Sequence, residues 1–312
     1  GTSQGRLRKV TADSEARAKQ LLADGKILPL PPLPQQQPQG ISPEDLAFVE
    51  TNANQLQEIP WGDQVACPKG QERAAFESAM ADVEASSGDW SKLGGPVKVF
   101  AGLPRPLCHV GAAEVMYRLS YLRGRLYAPV GLRQGLRFAL RAQIHTPQQP
   151  DALVVQLKLL SASRAAYWQE LATKTLDMLR QVAPDHPRLP KAEMTYHEVR
   201  GEYDEALVCA DRVIALANTP ERKGLALGGK ATLLMSLKRY DETIPLFREA
   251  ATLKPGDPWI WHNLSIALTE LGRYQEALDC NERALSIMDF GVARNQREIL
   301  VRKLAEQQGN AQ

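Results

Sequence analysis

Two pairs of residues in this sequence have side chains that could do chemistry. Glu193 and His197 are four residues apart, so a helix would place a carboxylate and an imidazole on one face, where both could bind a metal ion. No third ligand is identifiable, and a solvated polar helix face accounts for the same spacing. Cys108 and His109 provide a thiol and an imidazole, but adjacency in sequence does not create the geometry that nucleophilic catalysis needs.

Sequence signatures of the common catalytic and nucleotide-binding sites are absent. The chain contains no H-E-x-x-H, G-x-S-x-G, P-loop or G-x-G-x-x-G motif, each of which positions a metal, a nucleophile or a phosphate. We therefore predict that the protein is not an enzyme and that it has no cofactor and no metal site.

The cysteines and the N-terminus bear on the location of the protein. No two of the four cysteines form a C-x-x-C pair. This is typical of free thiols in a reducing compartment, so we predict a cytoplasmic protein. The sequence starts with Gly-Thr-Ser-Gln-Gly, which resembles a tag remnant or a processing site. A targeting segment, or a longer native chain, is compatible with that start.

Composition favours helices and argues against two classes of protein. Of 312 residues, 44% are hydrophobic and 6% are aromatic, and the abundant Leu and Ala suit helices better than sheets. Lys and Arg number 38 against 36 Asp and Glu, a net charge of +2, so no overall field attracts the chain to nucleic acid or membranes. No run approaches the ~20 apolar residues of a membrane-spanning helix.

An internal repeat dominates the C-terminal third of the chain. Residues 233–244 align without gaps with residues 267–278, 34 residues later, and a further copy lies upstream around Tyr203. In the last copy, apolar residues between 261 and 271 recur at helical spacing. Gly272 then ends that helix, because glycine takes the left-handed conformation easily. Each copy is predicted to be two helices whose uncovered apolar surface must pack on the next copy.

These copies resemble the tetratricopeptide repeat (TPR) family, whose 34-residue unit is a helix-turn-helix. The last copy matches the pattern in Trp261, Leu264, Leu268, Gly272, Tyr274, Ala277 and Ala284. The preceding copy matches it in Ala231, Leu234, Tyr240, Phe247, Ala250 and Pro255. Copies are clear over 187–289, and closing prolines upstream predict two diverged copies at about 116–152 and 153–186. The resemblance implies an all-α fold, a right-handed α-solenoid of such repeats with an N-terminal helical extension.

The sequence divides into six predicted segments. In order they are an N-terminal helix with a tag remnant at 1–27, a proline-rich linker or strap at 28–40, an acidic helical extension at 41–110, arginine-rich diverged repeats at 111–186, the clear repeats at 187–290, and a capping helix with a tail at 291–312. Helices are expected at 11–24 with Thr11 as N-cap, after Ser42-Pro43, at about 70–86, and from Val292 to Gln308.

The proline-rich segment from Pro29 to Pro38 is predicted to be extended. Two interpretations stay open. It is either a ligand for an SH3-like or WW-like groove, or a stiff spacer or strap that lies on the protein, where its leucines pack.

Charge is distributed unevenly along the N-terminal half. Residues 41–90 contain ten acidic residues against two basic ones, whereas residues 105–141 contain seven arginines against Glu114 alone. Three interpretations of the arginines stay open: a solvated helix surface, docking onto the acidic segment or an acidic partner, and binding of RNA or anionic lipid.

The family register predicts which residues line the inner surface of the stacked repeats, here called the predicted groove. The candidate binding residues are Lys158, Arg164, Arg188, Lys191, Thr195, Gly228, Gly229, Thr232, Trp259, His262, Asn263 and Ile266. We expect an extended or helical peptide there, with its acidic end at the basic residues, its backbone near the glycines and an apolar side chain near Trp259. Coverage of several of these residues by neighbouring helices is the open alternative.

The sequence therefore predicts a non-catalytic scaffold or adaptor that binds a partner peptide or subunit, within a larger assembly. An RNA-binding helical repeat using the arginines of 105–141 is the alternative, and a regulatory domain from a longer enzyme or signalling chain is the third possibility. The partner is predicted to be a protein or peptide with an acidic segment. No membrane span is expected.

Overall fold

The computed structural model describes residues 3–33, 42–63, 65–86, 90–122 and 126–309. About three quarters of them are helical, which confirms the predicted all-α fold. In this described part, the strands are one antiparallel pair, β1 (Tyr121–Leu122) and β2 (Leu126–Tyr127). The chain separates into two compact units, unit 1 (residues 1–200) and unit 2 (residues 201–312).

Unit 1 consists of nine α-helices in its described residues, a 3-10 turn and the strand pair. The helices are α1 (Ser3–Ala23), α2 (Pro43–Glu58), α3 (Glu72–Ala85), α4 (Gly94–Ala101), α5 (Leu107–Ser120), α6 (Pro129–His145), α7 (Pro150–Ser161), α8 (Ala166–Val182) and α9 (Leu189–Arg200). The 3-10 turn Trp90–Leu93 precedes α4.

The helices of unit 1 pack in two layers. Helices α3, α5, α7 and α9 contact one another in sequence, and we call them the inner row. Helices α4, α6 and α8 pack on the other side, each against the neighbouring members of the inner row. Large buried side chains between the layers form one core, among them Phe76, Phe100, Phe138 and Trp168.

Helix α7 lies in the middle of unit 1, and all of its residues from Asp151 to Ser161 are buried. Its apolar run Leu153–Leu160 suits that position, except for Gln156 and Lys158. Buried polar groups of this kind need partners, because desolvation without a hydrogen bond or ion pair is costly. Lys158 has its partner, Glu114, on the inner-row helix α5, whereas Gln156 bonds to Gln143 on α6 and to Thr175 on α8. These pairs decide which side chains are free to bind anything else.

Unit 2 contains the last two clear repeats and the second helix of the copy around Tyr203, whereas the first helix of that copy, α9, belongs to unit 1. Its helices are α10 (Tyr203–Ala215), α11 (Pro220–Ser236), α12 (Tyr240–Leu253), α13 (Pro258–Glu270), α14 (Tyr274–Ile287) and α15 (Gly291–Gly309). The pairs α11–α12 and α13–α14 pack as helical hairpins, and α15 covers α13 and α14 with Leu300 buried beneath it. Phe247, Leu264 and Leu268 form the centre of the unit 2 core.

The repeat turns use one backbone conformation at equivalent positions. Gly201, Lys238 and Gly272 have φ of 78°, 59° and 74°. After the last two, the N–H of Arg239 donates to Leu234 at 2.9 Å and that of Arg273 donates to Leu268 at 3.0 Å. The left-handed residue and the hydrogen bond to the carbonyl five residues earlier are the Schellman pattern of a helix end.

We expect Lys238→Gly to raise the free energy of unfolding by about 1 kcal/mol, because a side chain in the left-handed region is strained and glycine is not. Urea denaturation monitored by circular dichroism measures the change. The reciprocal variant Gly272→Lys serves as the matched control and should lower the stability. A decrease for Lys238→Gly would contradict the explanation from backbone strain.

Several predicted helix boundaries are confirmed and two need correction. Ser42 caps α2 by accepting the Asp45 N–H at 3.1 Å, and α3 lies within the predicted 70–86. Helix α1 begins at Ser3 instead of after Thr11, because no proline interrupts this stretch, which is rich in good helix formers. The capping helix begins at Gly291 itself, one residue before the predicted start.

The two diverged copies predicted upstream differ in how well they match. Helices α7 and α8 form a hairpin over 150–182, close to the predicted 153–186. The hairpin of α5 and α6 spans 107–145 instead of 116–152. The segment containing β1 and β2 lengthens the turn between its two helices, so the spacing of the closing prolines misplaced its start.

Candidate interaction surface

The inner row of unit 1 brings together cations from three helices. Lys191 is on α9, Lys158 on α7 and Arg118 on α5, and the charges of Arg118 and Lys158 both act on Lys191. The prediction placed Lys158 and Lys191 on one surface. Arg118 was not assigned to it, because this residue belongs to the arginine-rich stretch that precedes the predicted groove.

Lys158 is occupied by a partner within the chain. Its Nζ lies 2.5 and 2.6 Å from the two carboxylate oxygens of Glu114 and 4.6 Å from the centre of the Tyr117 ring. Glu114 is fully buried. Burial alone would raise the pKa of Glu114, but the positive charges of Lys158 and Arg118 outweigh it and lower the pKa. The expectation that Lys158 faces a peptide in the predicted groove is therefore wrong.

Lys191 is different because no ion pair joins its ammonium to any residue that the structure describes. Its side chain keeps solvent-exposed surface, while the helices around it desolvate the rest. This desolvation, with the positive charges of Arg118 and Lys158, outweighs the attraction of Glu198 and Glu84 and lowers the pKa of Lys191 to about 8. A negatively charged group of another molecule would therefore interact favourably with the ammonium of Lys191.

Arg188 also has partners within the chain, which corrects its predicted role. Its guanidinium binds Glu77 on α3 and lies 3.2 Å from Asp151 at the start of α7. Asp151 further contacts Arg73 at 2.5 Å and His186 at 3.2 Å. Burial alone would raise the pKa of Asp151, but the hydrogen bonds and charges of His186 and Arg73 lower it. Arg188 thus ties α3 to α7 instead of facing a ligand.

The remaining candidates of unit 1 lie near its surface. Arg164 is exposed in the loop between α7 and α8 and borders an open cavity of about 320 Å³ with Gln169, Val199 and Arg200. The Thr195 hydroxyl donates to the Lys191 carbonyl at 3.2 Å within α9. The backbone of α9 therefore satisfies this hydroxyl.

In unit 2 the predicted small and aromatic residues lie on α11 and α13. Gly228, Gly229 and Thr232 are half-buried, and the nearest neighbour of a Cβ placed on Gly228 would be Ile260 at 3.7 Å. Trp259 is half-buried with its ring 4.7 Å from that of Phe290. Phe290 was missed because it lies between the last repeat and the predicted capping helix, where the family register assigns no groove residue.

His262 is the third correction among the predicted site residues. It is buried, with Nδ1 3.5 Å from Oδ1 of Asn281 on α14, and burial lowers its pKa. Asn281 in turn donates to the Ala293 carbonyl at 2.8 Å. His262 thus joins three helices of unit 2 internally, while Asn263 and Ile266 on the same helix stay half-buried.

The described arginines of 105–141 contact their own chain. Arg105 binds Asp63 of the acidic segment at 2.5 Å, Arg133 donates to the Pro31 carbonyl at 3.0 Å, and Arg137 donates to Gln134 at 3.2 Å. Arg141 stacks 5.4 Å from the Phe138 ring centre. Arg123 and Arg125 lie outside the described residues. Docking onto the acidic segment is thus observed for Arg105.

The two residue pairs with possible chemistry have other neighbours. Glu193 is buried and binds Arg180 at 2.7 Å, and the described residues contain no group of three His, Cys, Asp or Glu side chains that could hold a metal ion. Burial raises the pKa of the Cys108 thiol to about 11, and burial with the charge of His145 lowers the pKa of His109 to about 3. These shifts are opposite to those of an activated thiolate and imidazolium.

No helix among the described residues is both long and apolar enough to cross a bilayer.

Comparison with known proteins identifies the repeats. The family described as "Tetratricopeptide repeat" matches residues 222–289. No curated protein matches the chain significantly. A thermophilic TPR protein of Thermus thermophilus is 18% identical, with a TM-score of 0.48 over 64% of this chain and 99% of the other. A TPR protein of Parabacteroides merdae is 13% identical, with a TM-score of 0.48 over 83% and 99%.

A STAND protein of Pyrococcus horikoshii with a tetratricopeptide repeat sensor is 14% identical, with a TM-score of 0.49 over 83% of this chain and 42% of the other. The matched residues 222–289 are the helical hairpins α11–α12 and α13–α14. The resemblance seen in the repeat spacing is confirmed for these residues, which match the tetratricopeptide repeat family.

Proposed function

We propose that the protein is a non-catalytic scaffold that binds an acidic segment of a partner protein at Lys191 on the inner row of unit 1. The TPR-like helical repeat fold generally mediates protein–protein interaction. The proposal of an acidic ligand at this position depends on one observation. The ammonium of Lys191 is accessible and forms no ion pair with any described residue.

An acidic ligand suits this position for an electrostatic reason. Arg118 and Lys158 share the inner row with Lys191, and the fully buried Glu114 already contacts both of them. A carboxylate from a partner would relieve the repulsion at Lys191, and in a partly desolvated site such a charge-assisted hydrogen bond is stronger than in water. RNA is the less favourable alternative, because the arginines of 105–141 whose contacts are described above already engage their own chain.

We expect Lys191→Glu to weaken the binding of an acidic peptide at least ten-fold. Fluorescence anisotropy with a labelled peptide of four glutamates and two leucines measures the effect, and the same peptide with glutamines tests the dependence on charge. Lys69→Glu, an exposed charge reversal elsewhere in unit 1, is the matched control. Because Lys191 carries its proton below a pKa of about 8, binding should weaken between pH 7 and pH 9.

The finer part of the proposal concerns unit 2. Trp259 and Phe290 form a half-buried aromatic pair that can take an apolar side chain, and aromatic anchors of this kind dominate the energy of many interfaces. Gly228 and Gly229 leave room for a peptide backbone. The same titration with Trp259→Ala tests whether this part of unit 2 binds the peptide. If neither Lys191→Glu nor Trp259→Ala reduces binding, the predicted groove is rejected.

A further inference from the structure

A short proline-rich segment before α2 is held against the surface of unit 1. We call Ile27–Leu33 the strap. Prolines at 29, 31 and 32 fix their own φ near −65° and keep the preceding residues out of the helical region. The strap is therefore extended, and a backbone in this conformation forms no internal N–H to carbonyl hydrogen bonds. The carbonyl oxygens of such a segment can therefore accept hydrogen bonds only from water or from residues outside the segment.

Two side chains recognise consecutive carbonyls of the strap. The indole N–H of Trp168 on α8 donates to the Pro32 carbonyl at 2.9 Å, and Nε of Arg133 on α6 donates to the Pro31 carbonyl at 3.0 Å. We call these two residues the strap-binding face. With the strap in place Trp168 is only 1% exposed, and its N–H has the Pro32 carbonyl as its acceptor. The strap thus satisfies a donor that the core of unit 1 presents.

The contacts of the strap alternate between protein and solvent. Ile27 and Pro31 are buried, and Leu28 and Leu30 pack partly against the core of unit 1. The rest of the strap is exposed, including Pro29 and Pro32. Recognition therefore uses the aliphatic side chains on one side of the strap together with its backbone carbonyl oxygens.

This chemistry is that of proline-rich peptide recognition, in which an aromatic surface with hydrogen-bond donors reads a preformed extended segment. We propose that the strap-binding face is a docking site for a proline-rich segment of a partner protein, which replaces the strap. The partner segment has two consecutive prolines preceded by aliphatic residues, as in Leu28–Pro32. This site lies on α6 and α8 and does not depend on the acidic-peptide site at Lys191.

The strap is an internal competitor for this site. A ligand tethered through a short chain has an effective concentration on the order of millimolar. A free peptide that makes the same contacts must therefore reach roughly that concentration to displace the strap, whereas a partner with additional contacts needs less. Releasing the strap should lower the apparent Kd for a free peptide by at least ten-fold.

The experiment uses the full chain with Leu28→Asp and Leu30→Asp, which remove the apolar contacts of the strap. The probe is a fluorescein-labelled peptide with the sequence of residues 26–33, titrated by fluorescence anisotropy into this variant and into the unchanged chain. We expect binding to the released variant at least ten-fold tighter than to the unchanged chain. Circular dichroism checks folding, and Leu30→Ser is the milder variant if the double substitution unfolds the protein.

Trp168→Phe in the released variant removes one hydrogen bond and should weaken peptide binding about five-fold. Trp261→Phe is the matched control, because the indole of Trp261 makes the same kind of bond, to the Pro255 carbonyl at 2.9 Å, in unit 2. A folded released variant that does not bind the peptide would overturn the proposal. So would equal binding by the unchanged chain, or equal effects of the two tryptophan substitutions.

Discussion

Replacing Gly111 with alanine is expected to lower the free energy of unfolding by about 3 kcal/mol. Gly111 lies on α5 where this helix crosses α4, and a Cβ at this position would lie 2.2 Å from Cγ and 2.3 Å from Cδ1 of Phe100. Phe100 is fully buried and packs against Phe76 with ring centres 5.9 Å apart, so its ring has no free space into which it can move. Overpacking of a rigid core typically costs about 1 to 3 kcal/mol. We expect the cost of this substitution to be near the upper end of that range.

Chemical denaturation measures this effect, and Gly228→Ala is its matched control. Gly228 is also inside a helix, but its added Cβ would meet nothing closer than 3.7 Å. Alanine there should raise stability by about 0.5 to 1 kcal/mol, because it restricts the unfolded chain and favours helix. An equal change in the free energy of unfolding for Gly111→Ala and Gly228→Ala would contradict the close approach of α4 and α5.

The second large effect is expected for Lys158→Met, which should lower stability by about 3 to 5 kcal/mol. Methionine fills similar space but leaves the fully buried Glu114 without its closest cation, and an uncompensated buried charge is strongly destabilising. The double variant Lys158→Met with Glu114→Gln should recover most of the loss, because no buried carboxylate is left without its closest cation. Lys174→Met removes an exposed partner of Glu170 and should change stability little.

The pH dependence of this effect follows from the sign of the shift. The folded pKa of Glu114 is lowered, so the pair contributes stability above the unfolded pKa of roughly 4.3 and loses it as pH falls through the folded pKa. In Lys158→Met, burial should instead raise the pKa of Glu114, which then takes up a proton more easily. The stability difference between the two proteins should therefore shrink from pH 7 to pH 4. A constant difference would contradict this assignment.

Local features of the fold were predictable from sequence, and contacts between distant segments were not. The cap at Ser42 and the turns at Gly201 and Gly272 depend on neighbouring residues, so their sequence signals suffice. Lys158 follows the repeat register onto the inner row, and the apolar run around it suits a buried helix, but nothing near it in sequence identifies its partner. Its partner Glu114 is 44 residues away, and a pattern with a period of one repeat does not report such pairing.

The strap also depends on a contact between segments that are distant in sequence. Its extended conformation follows from its prolines, but the choice between a free ligand and a segment lying on the protein depends on Trp168, 136 residues away from Pro32. His262 also follows the register, yet Asn281 and the helix after the last repeat bury it. Sequence periodicity thus predicted which helix carries a candidate residue better than it predicted what covers that residue.

The burial of α7 has a consequence for how such a chain can grow or shrink. Hairpins in a repeat array normally contact only their neighbours, so single copies can be duplicated or deleted without harm to the others. The hairpins α11–α12 and α13–α14 fit that modular scheme. In unit 1, Asp151 and Lys158 of α7 form ion pairs with residues of α3 and α5. Deleting one hairpin there would leave buried charges without their partners. We therefore expect the insertion or deletion of a repeat copy within residues 1–200 to destabilise unit 1 as a whole.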